Sequence, residues 1–284
     1  GKRGYEVVLA EATRDLGGRV SREARLPGLA AWIRVVDYRR AQLAKLASVE
    51  IALESEVTAD EILGYGFEHV AVATGSRWRA DGVGRHHLRP IALDGVEVLT
   101  PDELLEGRRP AGEHVLLYDD DHYYLGGVLA ELLVSAGRAV TLVTPAARVS
   151  EWTVNTMEQP RIHRRLVDRG VELLTSHALA RIAGGTATLS CTYTQRERAI
   201  RCDAVVLVSA RLPCDRVAEE LETRAAEWAE HGLLSVTTIG DAYAPSTIAA
   251  AVWDGRRYAE ELDGEGHGDD VPFLREVVRL AAAP

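Results

Sequence analysis

Residues 115–127 read VLLYDDDHYYLGG and run on into VLAELLVSAG at 128–137. An apolar, β-rich run stops at three consecutive aspartates. Two tyrosines and a glycine pair follow, and then apolar residues recur at helical spacing. Strand, tight turn and helix form the frame in which nucleotide-binding proteins place glycines. Here acids stand in the turn. Three readings compete: a metal site, a helix cap, or a nucleotide site that has been closed.

Working outward, apolar β-rich runs alternate with helix-like segments at 6–10, 70–73, 115–118, 140–143, 205–208 and 233–239. Several are apolar almost throughout, as strands of a parallel sheet covered on both faces are. The class is α/β. The chain has 284 residues, 46% hydrophobic and 27% charged, which is ordinary for a soluble globular protein of about two domains. A net charge of -10 argues against nucleic acid or an anionic membrane as main partner. No apolar run approaches the length of a membrane span. Cys191, Cys202 and Cys214 form no CxxC pair and suit a reducing compartment.

A weak internal repeat organises the chain. KRGYEVVLAE (2–11) parallels SAGRAVTLVT (135–144): each closes a helix with glycine, Gly4 or Gly137, and enters an apolar strand. HVAVATGSR (69–77) parallels AVVLVSAR (204–211). Two related dinucleotide-fold units are therefore expected. The first occupies 1–79 and 228–263 and lacks its own first strand and glycine loop, which the repeat places upstream. A connector spans 80–111, an inserted second unit 112–227, and a linker (GEGHGDD, 264–270) with its tail ends the chain at 284. TPDELL (100–105) carries a helix start, with Thr100 as cap and Glu103 at the capping-box position.

The first unit holds the candidate binding residues. Glu11 ends the strand YEVVLAE, where an acid accepts hydrogen bonds from adenosine ribose hydroxyls and repels a 2′-phosphate. Gly17, Gly18 and Arg19 follow; paired glycines let backbone amides approach a phosphate, and arginine adds charge. Thr74 and Gly75 form a small-residue turn after VAVAT. In GLLSVTTIGDAYAPSTIAAAVWDGRRYAEEL (232–262), a strand ends at Gly240-Asp241 and a helix follows, offering free amides to a pyrophosphate and a carboxylate to a hydroxyl.

EVVLAEATRDLGGRV, LPGLAAWIRVVDYRRAQL, VAVATGSRW and TIGDAYAPSTIAAAVWDGRRYAEEL resemble the C-terminal portion of the trimethylamine, dimethylamine and histamine dehydrogenase family, itself related to 2,4-dienoyl-CoA reductase. Trp78, DDDHYY and EQPRIHRRL (158–166) narrow the likeness to the amine dehydrogenases. The resemblance implies two glutathione-reductase-like (Rossmann-type) nucleotide-binding domains. It implies ADP, or FAD, in the first, lined by Glu11, Gly18, Arg19, Val57, Thr74, Gly75 and Asp241. It places FMN and a [4Fe-4S] cluster in an N-terminal part not present here. It further implies an electron-transferring flavoprotein as partner, a homodimer and a cytoplasmic setting. No catalytic residue and no metal ligand is expected in this chain.

Within that frame the acidic turn reads as a lost site. With the helix ends aligned on Gly137, Gly126 falls at the third glycine of GxGxxG, and Asp119 and Asp121 near the first two. Two unit charges about 5 Å apart repel by roughly 0.8 kcal/mol in water and by roughly 3 at an effective dielectric near 20. Thr144 stands where Glu11 stands in the first unit. Asp119, Asp121 and His122 as metal ligands are a weaker reading, since adjacent residues seldom converge on one ion. One Asp as a helix cap is the plainer use. An active FAD/NAD(P)H reductase half and a non-catalytic docking module remain the alternative functions.

Overall fold

The computed structural model describes residues 1–262; the expected linker and tail at 264–284 lie outside the described residues. The chain divides into two compact units, Gly1–Val57 with Arg77–Leu212, and Thr58–Ser76 with the segment from Pro213 onward. In chain order the first part of unit one holds β1 (Val7–Ala10), α1 (Gly18–Glu23), α2 (Arg34–Leu43) and β2 (Val49–Ala52). Unit two begins with α3 (Ala59–Tyr65) and β3 (His69–Val72), and β4 (Ser76–Trp78) leads out of it. Unit one resumes with β5 (Ala92–Asp94), β6 (Glu97–Leu99), α4 (Pro101–Leu105), β7 (His114–Asp119), α5 (Leu125–Ser135), β8 (Ala139–Val143) and α6 (Gln159–Asp168). It closes with β9 (Glu172–Leu174), β10 (His177–Ala183), β11 (Thr186–Cys191), β12 (Glu197–Arg201) and β13 (Ala204–Val208). β14 (Arg211–Pro213) leads back to unit two, with α7 (Arg216–Thr223), α8 (Trp228–His231), β15 (Ser235–Thr238) and α9 (Ile248–Glu261).

Unit one is organised by a five-stranded sheet in the order β6-β13-β7-β8-β9, parallel throughout. Successive side chains of a strand face opposite ways. Val115 and Leu117 of β7, with Ala204, Val206 and Val208 of β13, join Leu129 and Leu133 of α5 and Ile162 and Leu166 of α6 on one face. Leu116 and Tyr118, with Val205 and Leu207, join Leu179, Ile182, Ala187 and Leu189 on the other. That second face is covered by a four-stranded sheet, β12-β11-β10-β5, antiparallel except where β10 meets β5.

This arrangement corrects the expectation of two glutathione-reductase-like (Rossmann-type) nucleotide-binding domains. A continuous apolar run reports that both faces of a strand are buried, and not what buries them. Here helices cover one face and a sheet the other. Among the described residues the strands assigned to the first unit form two parallel pairs, β1 with β2 and β3 with β15.

Local signals behave as their chemistry dictates. The Thr100 backbone N–H and hydroxyl both donate to Glu103 Oε2, at 2.8 and 3.1 Å, closing the expected capping box of α4. An unforeseen box of the same kind joins Thr58 and Glu61 at α3. Helix α5 ends at Gly137, whose φ of 79° lets the chain turn back, with Arg138 N–H donating to Leu133 O.

The EQPRIHRRL stretch becomes α6, with Pro160 in its first turn. Its apolar Ile162 and Leu166 point inward, and its arginines reach across to α5. Glu131 of α5 is almost wholly buried and meets Arg165 Nε at 2.7 Å and Arg169 Nε at 3.3 Å. Replacing Glu131 with alanine leaves two half-exposed arginines that water can reclaim. The cost sits below that of breaking a fully buried pair, at about 2 kcal/mol. Thermal unfolding should show this loss, with Glu131→Gln recovering part of it.

Candidate functional site

Among the described residues, buried polar groups gather where β7 ends. Asp119 is its last residue, and Asp119 and Asp120 are both fully buried. Asp120 and Asp121 N–H both donate to Val208 O of β13, at 2.8 and 3.1 Å, so the turn continues the sheet's own bonding. Asp119 Oδ1 accepts from His122 N–H at 3.0 Å, which closes the turn, and His122 takes a φ of 65°, rare for a residue with a Cβ. Asp120 Oδ2 accepts from His86 N–H at 2.8 Å, and its Oδ1 lies 3.4 Å from His122 Nε2. Trp152 N–H donates to His122 O at 3.0 Å. Two distant segments, 84–87 and 150–152, are thus fastened to one acidic turn.

Two glycines fit these carboxylates. A Cβ on Gly126 would stand 2.5 Å from Asp119 Oδ2 and 2.9 Å from Asp119 Cβ. A Cβ on Gly84 would stand 2.3 Å from Asp120 Oδ2. Gly126, which the sequence places at the third glycine of a loop that has lost its phosphate-binding glycines, is held to glycine by the aspartate beside it.

Burial is the main influence on the acids. It pushes the Asp119 carboxyl up to about 7, with Asp121 adding repulsion and the His122 N–H opposing. Burial also raises Asp121, against the pull of Arg85, His122 and Arg19. For His122 burial favours the neutral ring, but Asp120 and Asp119 outweigh it and the imidazole is raised. Burial and the neighbouring His86 lower His87. Among the described residues no three His, Cys, Asp or Glu side chains converge on a metal position.

A second buried acid, Glu23 of α1, sits nearby in unit one. Its Oε2 accepts from the Tyr124 hydroxyl at 2.6 Å, and its Oε1 faces Arg19 Nε at 3.1 Å. Burial, then Glu23, raises the Tyr124 hydroxyl well above the phenolic range. Sequence reasoning missed Glu23. Its only signal is its place four residues after Arg19 in an otherwise amphipathic stretch.

The residues named for ADP fall in both units, and each group has its own geometry. In unit one, Glu11 directly follows β1, and its Oε1 accepts from Thr13 N–H and hydroxyl at 2.9 and 2.8 Å. Gly17 and Gly18 both have positive φ, 119° and 48°. A Cβ on Gly17 would strike Ser21 Oγ and Val36, whereas Gly18 faces open space. Gly18 is therefore the glycine a ligand can approach, and Gly17 serves packing. Val57 lies in the loop beyond β2, directly before the Thr58 cap.

In unit two, Thr74-Gly75 and Gly240-Asp241 meet at the C-terminal ends of the β3–β15 pair, where Val72 and Thr238 are register partners. Asp241 Oδ2 accepts from Ser76 Oγ and Oδ1 from Ser246 N–H, each at 3.0 Å. The Thr74 hydroxyl donates to Cys214 O. Gly240 N–H donates to Asp254 Oδ2 at 2.6 Å, tying the turn to α9. C-terminal strand ends are where open α/β sheets place ligands.

Comparison with known proteins first gives the class. Residues 99–201 match the family described as the OYE-like second alpha/beta domain. This carries the same correction as the topology: that segment matches an OYE-like α/β domain, where one of two glutathione-reductase-like folds was expected. Particular relatives follow. The chain is 33% identical to dimethylamine dehydrogenase of Hyphomicrobium sp. (strain x), over 97% of its own length and 41% of that protein's. It is 50% identical to the solved histamine dehydrogenase from Rhizobium sp. 4-9, with a TM-score of 0.94, covering 98% of this chain and 43% of that one. The amine oxidase for 6-hydroxypseudooxynicotine from Pseudomonas geniculata N1 is 41% identical, with a TM-score of 0.84, over 90% of this chain and 38% of the oxidase. The chain is thus homologous to part of several amine-oxidising enzymes and spans about two fifths of their length.

The fit between Gly126 and Asp119 is directly testable. Gly126→Ala should cost about 2 kcal/mol by overpacking. In an Asp119→Gly background the same change should cost far less, because the opposing atoms are gone. A thermal-unfolding double-mutant cycle measures the coupling, and simple additivity would show that the two positions do not press on each other.

Proposed function

We propose that this chain is the C-terminal part of an iron–sulfur flavoprotein amine dehydrogenase that oxidises a small amine by N-demethylation or deamination. The observation that carries the reading is the 50% identity to histamine dehydrogenase over 98% of the chain, with a TM-score of 0.94. When bound in the part of the protein outside this chain, FMN and a [4Fe-4S] cluster supply the electron chemistry. An electron-transferring flavoprotein receives the electrons, and the whole enzyme is a cytoplasmic homodimer with neither nucleic acid nor membrane as partner. Among the described residues no helix is long and apolar enough to cross a membrane.

This chain's own residues do no bond-making in the proposal. They bind ADP as a structural ligand. Glu11, next to a parallel strand end, has the chemistry to accept from ribose hydroxyls. Gly18 offers backbone with nothing above it. Arg19 is engaged with Glu23, so its charge is already fixed in position within unit one. In unit two, Gly75 and the Gly240-Asp241 turn stand at strand ends, with Asp241 oriented by Ser76 and Ser246. A carboxylate oxygen so engaged retains a second lone pair for a hydroxyl. The acidic turn supports exclusion of NAD(P)H: buried carboxylates stand at the end of β7, where a nucleotide fold would bring phosphate charge.

The test uses the longer protein that carries this chain. Anaerobic addition of histamine or dimethylamine should bleach the flavin absorbance, while NADH and NADPH leave it unchanged. Acid extraction should release ADP, identified by mass spectrometry. Asp241→Asn or Glu11→Gln should weaken ADP retention by roughly tenfold, the effect of losing one charge-assisted hydrogen bond. Bleaching by NADPH and not by any amine would replace this reading with that of a dienoyl-CoA reductase-like enzyme. Extraction of no nucleotide at all would favour the docking-module alternative for this part.

A further inference from the structure

The proposed function leaves unused the most conspicuous chemistry of unit one, the buried acids and imidazole at the end of β7. We propose that this turn is a proton-operated clasp: with Asp119 neutral and His122 protonated it holds segments 84–87 and 150–152 against the sheet, and loss of the two protons lets both go.

The argument begins with connectivity. Three pieces of chain remote in sequence are joined through this turn's polar atoms. Asp120 Oδ2 takes the His86 amide, the His122 carbonyl takes the Trp152 amide, and Asp119 Oδ1 takes the His122 amide that sets where the imidazole stands. Loosening His122 therefore disturbs both attachments at once.

Charge decides when that happens. Asp120 and Asp121 flank Asp119 in the turn; Arg85, His86 and His87 face it from the 84–87 segment; Arg19 and Glu23 approach from α1; Tyr118 and Tyr124 stand on β7 and α5. Arg19 is already bound to Glu23, and Arg85 lies over the Trp152 ring at 5.4 Å while also facing Asp121. Asp119 Oδ2 meets no donor among the described residues. An ionised carboxylate there is buried without a bond to that oxygen, which is costly, whereas the neutral acid is not. His122 stands between Asp119 and Asp120, with its Nε2 3.4 Å from Asp120 Oδ1.

Both protons act in the same direction. Asp119 holds its proton more tightly in the fold, up to about 7, than in an open chain. Its contribution to stability is complete below the ordinary carboxylate range and declines until pH passes about 7. His122 is also raised, so its contribution is complete below the ordinary imidazole value and is lost as pH climbs through the folded one. The clasp is closed in mild acid and opens as pH rises past neutrality.

Hydrogen exchange followed by mass spectrometry on the longer protein reads this directly. After correction for the chemical exchange rate, peptides covering 84–88 and 150–154 should lose at least about tenfold protection between about pH 5 and about pH 8.5. Peptides from β10 and β11 should keep theirs. Asp119→Asn imitates the neutral acid in shape and should shrink the loss of protection to the part that His122 carries, leaving protection at about pH 8.5 higher than in the wild type. His122→Asn, which tolerates the same backbone but cannot carry charge, should leave both segments unprotected even at about pH 5. Wild-type protection that does not change with pH overturns the proposal. So does an Asp119→Asn protein that fails to fold or is less protected at every pH, because it shows that the ionised carboxylate is what the turn needs.

Discussion

Strand β7 is buried on both faces and ends in carboxylates, and much of unit one answers to that constraint. A central strand can bury apolar side chains freely, but its last residues must satisfy any polar group they carry. Asp119 and Asp120 each do this for one oxygen, with a backbone amide from their own turn and one from a loop far away in sequence. The glycines at 84 and 126 then follow as the only residues that leave the carboxylates room. The strand end thereby fixes the course of two connecting segments as well as the entry to α5.

The two units divide the chemistry unevenly. Unit two keeps an open arrangement at the ends of β3 and β15, with an acid oriented by two serines and a helix beginning just beyond. The end of β7 in unit one is filled from within. The strand ends of unit two thus carry a Gly-Asp turn tied to α9, whereas the end of β7 is packed with buried carboxylates.

Much of this was legible in the sequence where the signal was local. The six apolar runs at 6–10, 70–73, 115–118, 140–143, 205–208 and 233–239 coincide with β1, β3, β7, β8, β13 and β15. The Thr100 box and the Gly137 helix end are also where their residue types place them. The architecture was read wrongly because strand periodicity does not identify the covering layer. The sheet of β10, β11 and β12 comes from RIAGGTATLS and its polar neighbours, whose alternation is short and broken by glycines. The turn at 119–122 was correctly singled out as unusual. What its aspartates hold was not readable, because His86 and Trp152 lie some thirty residues away on either side, and no spacing rule joins them.

The contact between Asp119 and Gly126 has a consequence for how such a turn can change over generations. Each residue is now the reason for the other, and Asp120 stands in the same relation to Gly84. Most single substitutions at the four positions meet either a collision or an abandoned amide. Only concerted replacement leads elsewhere, so descent can drift around this turn but has few single steps by which to leave it. Sterics alone therefore tie the four positions of the acidic turn to one another.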